Sequence, residues 1–212
     1  MRFILIVSLF LIQSFLAVGQ NFHADFSILG AKKSFGLNVA MNRNLVSFWD
    51  DKITVYGGLR SGIWLTSDGV FVSAPPEFTS KSKSDTLSIG KSTLGSLNLM
   101  AGFEIKLAEN WSSGFNIDLA GLSFGSSQTG TISGIKTETS PTPFNLLLVG
   151  TRDIGTLNSE FYLRWNWKEN LYFKGGFNHH FAEQKTKTEV QKGNDRFRQI
   201  ANPIFVSMGI LF

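Results

Sequence analysis

Ile204-Phe205-Val206-Ser207-Met208-Gly209-Ile210-Leu211-Phe212 is the stretch that decides the fold. Successive residues of a strand point to opposite faces, so one face would carry Ile204, Val206, Met208, Ile210 and Phe212. The other face would carry Phe205, Ser207, Gly209 and Leu211, which are mixed in character and partly small. The stretch therefore predicts a β-strand with one continuous apolar face.

The composition agrees with a sheet that exposes apolar side chains on one face. The 212 residues include 20 Phe and 21 Gly, and charged residues make up 17%, below the roughly 25% of an average soluble domain. The chain has no Cys, which excludes disulfides, thiolate metal sites and a lipid anchor attached to cysteine. The net charge of +4 is modest and is typical of a solvated loop surface.

Residues 1–19 predict a secretory signal peptide. Arg2 supplies a positive start, residues 3–18 are mostly apolar, and Ala17-Val18-Gly19 offers small residues for cleavage. No later stretch approaches the ~20 continuous apolar residues of a membrane helix. We therefore expect residues 20–212 to form one exported domain, either soluble or a β-barrel, since a barrel also satisfies its backbone in lipid.

Short and long connections alternate along this domain. Tight turns are predicted near Asp50, Glu109 and Glu169, whereas residues 67–93, 125–156 and 183–202 are polar and are predicted to be loops. About eight antiparallel strands fit between Phe22 and Phe212. Short periplasmic turns alternating with long external loops are typical of an outer-membrane β-barrel, which is the predicted fold class.

Two details follow from this count. The alternation slips near Arg43 and Asn44, which predicts a bulge. The apolar segment from Phe144 to Gly150 would put the end of the chain on the wrong side if it were a full strand, so we place it in the third external loop, as a strand extension or folded over the mouth.

A soluble barrel or sandwich would show a similar alternation, with its apolar face inside. The membrane barrel is favoured because the apolar faces carry large residues almost without interruption. Trp49, Trp111, Trp165 and Trp167 also adjoin the tight turns, as an interfacial aromatic girdle would. The opposite faces predict an interior network of charges with nearly balanced sign: Arg60, Glu104, Lys106, Asp118, Glu160, Arg164 and Lys174.

Several stretches of the C-terminal half are similar to small, uncharacterised outer-membrane β-barrel proteins of Bacteroidota, a porin-like family. They are Gly114-Phe115-Asn116-Ile117-Asp118, Gly121-Leu122-Ser123-Phe124-Gly125, Phe144-Asn145-Leu146-Leu147-Leu148, Asp153-Ile154-Gly155-Thr156-Leu157-Asn158-Ser159-Glu160-Phe161, Asn194-Asp195-Arg196-Phe197-Arg198 and Phe212. The resemblance implies the fold, export and membrane insertion. It implies no substrate and no catalytic residues.

No stretch predicts an enzyme. His179 and His180 are adjacent and would face opposite sides of a strand, so they cannot chelate one metal ion, and no serine follows them at the spacing of a lipid A-modifying barrel enzyme. Residues 90–93 (Gly-Lys-Ser-Thr) resemble the end of a phosphate-binding loop, but Asp85 stands where that motif needs Gly. We predict no catalytic, metal or cofactor site.

The last predicted loop is basic, with Lys185, Lys187, Lys192, Arg196 and Arg198, and is a candidate contact for lipopolysaccharide phosphates. The expected partners are therefore outer-membrane lipid and lipopolysaccharide, together with the barrel-assembly machinery through the C-terminal strand, and not nucleic acid. The sequence predicts a structural or surface-binding barrel. A small-solute pore and, less favoured, a lipid A-modifying enzyme remain as alternatives.

Overall fold

The structure, a computed structural model, describes residues 22–78, 80, 83–148, 152–189 and 191–212, so the predicted signal peptide lies outside it. No helix among these residues has the length and apolar character to cross a membrane. The described part contains the 3-10 helix Pro76–Phe78 and the strands β1 Phe22–Ala31, β2 Ser34–Phe48, β3 Ile53–Ser73, β4 Thr86–Lys106, β5 Trp111–Phe124, β6 Gln128–Ile132, β7 Ile135–Pro141, β8 Phe144–Leu146, β9 Leu157–Lys168, β10 Leu171–Thr186, β11 Arg196–Ala201 and β12 Ile204–Leu211.

Eight of these strands pair in an antiparallel cycle, which we call the lower ring. The order is β1, β2, β3, β4, β5, β9, β10 and β12, and β12 pairs with β1 again. Ser207 of β12 lies opposite Ser27 of β1 and opposite Lys174 of β10. The last strand therefore pairs with the first, and along these contacts each strand has a partner on both sides.

The two ends of the lower ring differ in their connections. Residues 49–52, 107–110 and 169–170 form tight turns at one end, the turn end, where β1 starts and β12 finishes. The other end, the loop end, carries the two-residue turn Lys32-Lys33 and the three long connections. The predicted alternation of short and long connections is therefore confirmed, and so is the bulge, because the β2–β3 register shifts between Asn44 and Val46.

The predicted count of about eight strands is wrong, because residues assigned to loops continue the sheet. β3 runs to Ser73 and β4 begins at Thr86, so the loop predicted over 67–93 shrinks to 74–85. The other two predicted loops contain β6, β7 and β8, and β11. β8 pairs with β5 at the loop end, beyond the residues of β5 that pair with β9. The start of the 144–150 segment is therefore a strand extension, one of the two predicted possibilities. Val149 and Gly150 lie outside the described residues.

The added strands build a second antiparallel cycle at the loop end, which we call the upper ring. The outer parts of β3, β4 and β10 contribute, and the order is β3, β4, β6, β7, β10 and β11. The cycle returns to β3 through Phe197 opposite Ser73 and Arg198 opposite Val72. The loop end therefore carries ordered sheet rather than only irregular loops.

Between the two rings, the buried side of β3 and of β4 changes from one face of the strand to the other. On β3, Trp64 and Thr66 are buried, and after Asp68 the buried positions become Phe71 and Ser73. On β4 the reversal occurs at Gly90, so that Ile89 and Ser92 are both buried. Asp68 has φ +51°, a left-handed conformation that Asp adopts more readily than most residues. The loop was predicted there from the polar composition of residues 67–93, whereas the structure continues both strands and only interrupts their side-chain alternation.

The lower ring has an apolar outer face and a largely polar interior. Along β12, Val206 is 61% exposed, whereas Phe205 is 1% exposed and Ser207 is buried. The outward positions hold large apolar side chains on all eight strands, including Phe26, Val39, Ile63, Leu99, Phe115, Phe161 and Phe177. The four predicted girdle tryptophans lie at the turn end and are exposed, and Trp111 stacks on Trp165 at 6.2 Å between ring centroids.

Candidate functional site

The interior of the lower ring is organised around Arg60, in the middle of β3. Its side chain is 1% exposed. Nη1 donates to Asp118 Oδ1 at 2.8 Å, and Nη2 lies 3.0 Å from Glu160 Oε2 and also donates to Asn116. These three partners come from β5 and β9, so the guanidinium reaches across the interior rather than to a neighbouring strand. A buried guanidinium needs such partners, because an unpaired buried charge is very costly.

Amide side chains satisfy the remaining oxygens of the two carboxylates. Asp118 Oδ2 accepts hydrogen bonds from Asn98 Nδ2 at 2.8 Å, and from the backbone N and Nδ2 of Asn158, each at 2.9 Å. Glu160 accepts from Asn116 Nδ2 at 2.9 Å and from Asn178 Nδ2 at 3.3 Å. The ion pairs are therefore embedded in a network that compensates their burial.

A second cluster lies where β12 closes the ring. Lys174 of β10 donates to Asp25 of β1 at 2.7 Å, and both side chains are buried. Tyr172 and Ser207 each donate to Asp25 at 3.1 Å. Asp25 therefore connects β1, β10 and β12 through side chains as well as through backbone pairing.

A third cluster lies near the turn end. Arg164 Nη1 donates to Glu104 Oε1 at 3.2 Å, and its guanidinium carbon lies 4.1 Å from the centre of the Tyr172 ring. Tyr162 donates to Glu104 at 3.2 Å and shares a 3.0 Å hydrogen bond with the hydroxyl of Tyr56. This cluster extends the interior network from the middle of the ring to its lower rim.

The structure brings together six of the seven predicted interior charges, namely Arg60, Glu104, Asp118, Glu160, Arg164 and Lys174. Lys106 is placed differently. It lies at the exposed end of β4, where the chain turns, and is absent from the ion pairs of the described residues. The prediction missed Asp25 and the amides and tyrosines that complete the network. Asp25 was identifiable as a carboxylate on the inward parity of β1, but the amides have no distinguishing sequence signal.

The two histidines lie on opposite faces, as their adjacency predicts. His180 is buried, its Nδ1 is 2.8 Å from Asn158 Oδ1, and its ring lies 4.3 Å from that of Trp64. His179 lies on the outer face, with Nδ1 2.7 Å from Asn202 Oδ1. The hydrogen-bond partner of each ring is an amide rather than a serine hydroxyl or a carboxylate. Within the described residues, no group of three or more His, Asp or Glu is arranged to hold a metal ion.

An apolar plug fills the upper ring. Phe71, Leu87, Ile89, Ile132 and Phe197 pack together there with Leu94 and Ala182, and all seven are buried. This cluster packs side chains of β3, β4, β6, β10 and β11 against one another at the loop end of the charged lower-ring interior.

Four of the five cations of the predicted basic loop are paired with carboxylates of the chain. Lys185 lies 3.1 Å from Asp195, and Lys187 lies 2.7 Å from Glu138. Arg196 and Arg198 lie 3.5 and 3.1 Å from Glu183. Only Lys192 is outside these ion pairs among the described residues of that loop, so most of the predicted positive charge is neutralised internally.

Glu138 of β7 lies on the exposed surface of the upper ring. A hydrogen bond from Lys187, together with a further hydrogen bond involving Ser127, lowers the pKa of its carboxyl group below the usual value. The carboxylate is therefore charged at neutral pH and remains available to Lys187.

No family model matches the chain, and no curated protein is significantly similar to it in sequence. The resemblance to Bacteroidota barrels therefore stays a prediction. Among solved structures, Neisserial surface protein A (NspA) aligns over 91% of this chain and 95% of its own, at 8% identity and a TM-score of 0.47. Ail, the attachment invasion locus protein of Yersinia pestis, aligns over 91% and 95%, at 13% identity and a TM-score of 0.37.

The Pseudomonas putida toluene transporter TodX aligns over 84% of this chain and 70% of its own, at 9% identity and a TM-score of 0.28. Values this low assign neither a fold nor a function to the chain.

Proposed function

We propose that this chain is an integral outer-membrane β-barrel protein with a structural or surface-binding role, without catalysis and without an open pore. The observation that carries the proposal is the inverted polarity of the lower ring. Arg60, Asp118 and Glu160 are buried inside, while large apolar side chains cover the outside. A soluble barrel would have the opposite arrangement.

The extent of the exposed apolar surface supports lipid contact. Soluble monomers rarely expose a contiguous apolar patch larger than a few hundred Å². Here outward-facing apolar side chains are present on all eight strands of the lower ring. In water this surface would promote aggregation, whereas in a bilayer it replaces lipid–lipid contacts, and the cyclic pairing satisfies the backbone without water.

The proposed orientation follows from the connections and the aromatic residues. The short turns and the exposed tryptophans lie at one end, which suits the periplasmic interface, and the upper ring projects from the other end into the medium. The predicted signal peptide would deliver the chain to the periplasm. β12 would then present its apolar face to the barrel-assembly machinery.

The interior argues against a solute pore. An eight-stranded barrel is just wide enough for side chains to fill it. In this chain the ion pairs of Arg60 occupy the interior of the lower ring, and the apolar plug occupies the interior of the upper ring. The upper ring is instead an ordered sheet with its own core, which suits a rigid surface for binding at the cell exterior.

Two measurements test this proposal. The chain should remain in the outer-membrane pellet after alkaline carbonate extraction and should migrate faster unheated than boiled, because a closed barrel resists detergent at room temperature. In planar bilayers the inserted protein should show no steady single-channel current. Recovery in the soluble fraction would contradict membrane insertion, and regular conductance steps would restore the pore alternative.

A further inference from the structure

A groove of about 540 Å³ lies where the outer face of the lower ring meets the turn Lys32-Lys33. Its lining includes Lys33, Ser67 and Lys91. It lies beside the reversal of the sheet faces at Asp68 and Gly90. Among the described residues that line it there are two lysines and no carboxylate.

The lining is arranged in two rows. The upper row is polar: Ser67 donates from its backbone N to Lys33 O at 2.9 Å and lies opposite Lys91 in the β3–β4 pairing. Neighbouring strands are about 4.8 Å apart, so the two lysines stand on either side of Ser67, within reach of one anion through their long side chains.

The lower row is largely apolar. Phe35 lies opposite Leu65, which lies opposite Thr93, and the first two side chains are exposed. The outward positions toward the turn end continue with Leu37 and Ile63. The groove therefore passes from polar and cationic groups to exposed hydrocarbon within two residues, from Lys33 to Phe35 and from Ser67 to Leu65.

The charge of the upper row is available for a ligand. Lys91 forms no ion pair with any residue in the described part of the chain, unlike Lys185 and Lys187 of the upper ring. Lys33 lies 3.3 Å from Asp68, but both side chains are exposed, and exposed pairs of this kind are weak and open to exchange.

We propose that this groove binds the phosphate headgroup of an anionic lipid of the surrounding leaflet. Lys33 and Lys91 contact the phosphate, Thr93 offers a hydroxyl group, and the acyl chains lie over Phe35 and Leu65, while the Ser67 hydroxyl donates to the backbone O of Lys33 at 3.2 Å. The inference rests on the proposed membrane insertion and adds a specific lipid site to it. The sharp polar-to-apolar step favours a lipid over a free anion, because a free anion gains nothing from the apolar row.

The test is a native mass-spectrometric titration of the full chain in neutral detergent with phosphatidylglycerol and, separately, with phosphatidylcholine. We expect one phosphatidylglycerol to bind preferentially, and its affinity to fall about fivefold for each lysine removed in K33Q and K33Q/K91Q, the scale of about 1 kcal/mol per lysine at an anionic surface. The control K52Q/K106Q removes two exposed lysines at the turn end and should not change the affinity.

Asp68→Asn should raise the affinity for phosphatidylglycerol, whereas the lysine variants should lower it. Asn also tolerates the left-handed conformation at this position, so the turn is preserved while the competing carboxylate is removed. Binding of phosphatidylglycerol should tighten, which a variant that merely damaged the fold would not produce.

Equal affinity of K33Q/K91Q and the unaltered chain, equal binding of phosphatidylcholine, or displacement of the lipid by millimolar inorganic phosphate would each overturn the lipid site. Carbonate extraction separates this failure from that of the proposed function. If the chain stays in the membrane pellet while the lysine variants bind normally, only the lipid site is lost. If the chain is extracted as a soluble protein, both proposals are overturned.

Discussion

Arg60 and Asp118 form a 2.8 Å ion pair inside the lower ring although their strands are not neighbours, since β4 lies between β3 and β5. The side chains are 1% and 0% exposed. The pair therefore ties together two strands of the wall that share no backbone pairing, and its loss should affect unfolding of the whole ring.

Asp118→Asn should lower the free energy of unfolding by about 3–5 kcal/mol, because it leaves the Arg60 guanidinium buried with an incomplete set of charges. The measurement is urea unfolding of the protein folded in detergent micelles. Lys185→Gln is the matched control, since its exposed side chain pairs with a half-buried Asp195 and a pair of this kind at the surface should contribute at most about 1 kcal/mol. Similar values for the two variants would show that the interior network does not determine stability.

Phe71→Ala should destabilise the upper ring by about 3–5 kcal/mol, the range for a large aromatic side chain removed from a packed core. Phe71 is fully buried in the apolar plug, whereas Phe144 is 67% exposed, so Phe144→Ala serves as the control. Hydrogen exchange of the β6, β7 and β11 amides reports the change. Unchanged exchange in the Phe71 variant would mean that the plug does not hold the upper ring together.

Gly58→Ala tests the close approach of β2 and β3. A Cβ atom at Gly58 would lie 2.1 Å from the backbone O of Met41, whereas one at Gly30 would meet nothing within 4 Å. Because a backbone atom cannot move aside cheaply, we expect a loss of about 1–3 kcal/mol for Gly58→Ala, the range for overpacking. Gly30→Ala should be close to neutral, and the thermal midpoint of the faster-migrating folded form gives the comparison.

Single-cysteine labelling tests the orientation, and the chain has no native Cys to interfere. A membrane-impermeant maleimide should label Lys192→Cys on intact cells, because that exposed residue lies at the loop end. It should label Glu109→Cys, in a tight turn at the other end, only after the outer membrane is opened. The reverse pattern would place the turn end outside and contradict the proposed topology.

The sequence predicts the lower ring well because its alternation and turns are local signals. The turns near Asp50, Glu109 and Glu169 interrupt regular two-residue periods, and the structure has all three. The upper ring was missed for a physical reason. Its segments have a polar composition and were therefore assigned to loops, and at Asp68 and Gly90 two of its strands also exchange their faces, so that they lose a regular period in sequence.

The interior site was predicted in part for a similar reason. Charged residues on the inward parity stand out, and six of the seven predicted ones are in the network. Asn98 and Asn158 do not stand out, because the sequence does not distinguish an amide that faces water from one that donates a hydrogen bond to a buried carboxylate. Their role depends on partners that lie 20 and 40 positions away from Asp118 in sequence.

Spin labels placed one at a time along β12 in vesicle-reconstituted protein test most directly whether the outer face of the lower ring meets lipid. Labels at Ile204, Val206, Met208 and Ile210 should collide often with lipid-soluble oxygen and rarely with a water-soluble nickel complex. Labels at Phe205, Ser207 and Gly209 should be shielded from both. High nickel accessibility at the first set would show that this face meets water and would contradict the account.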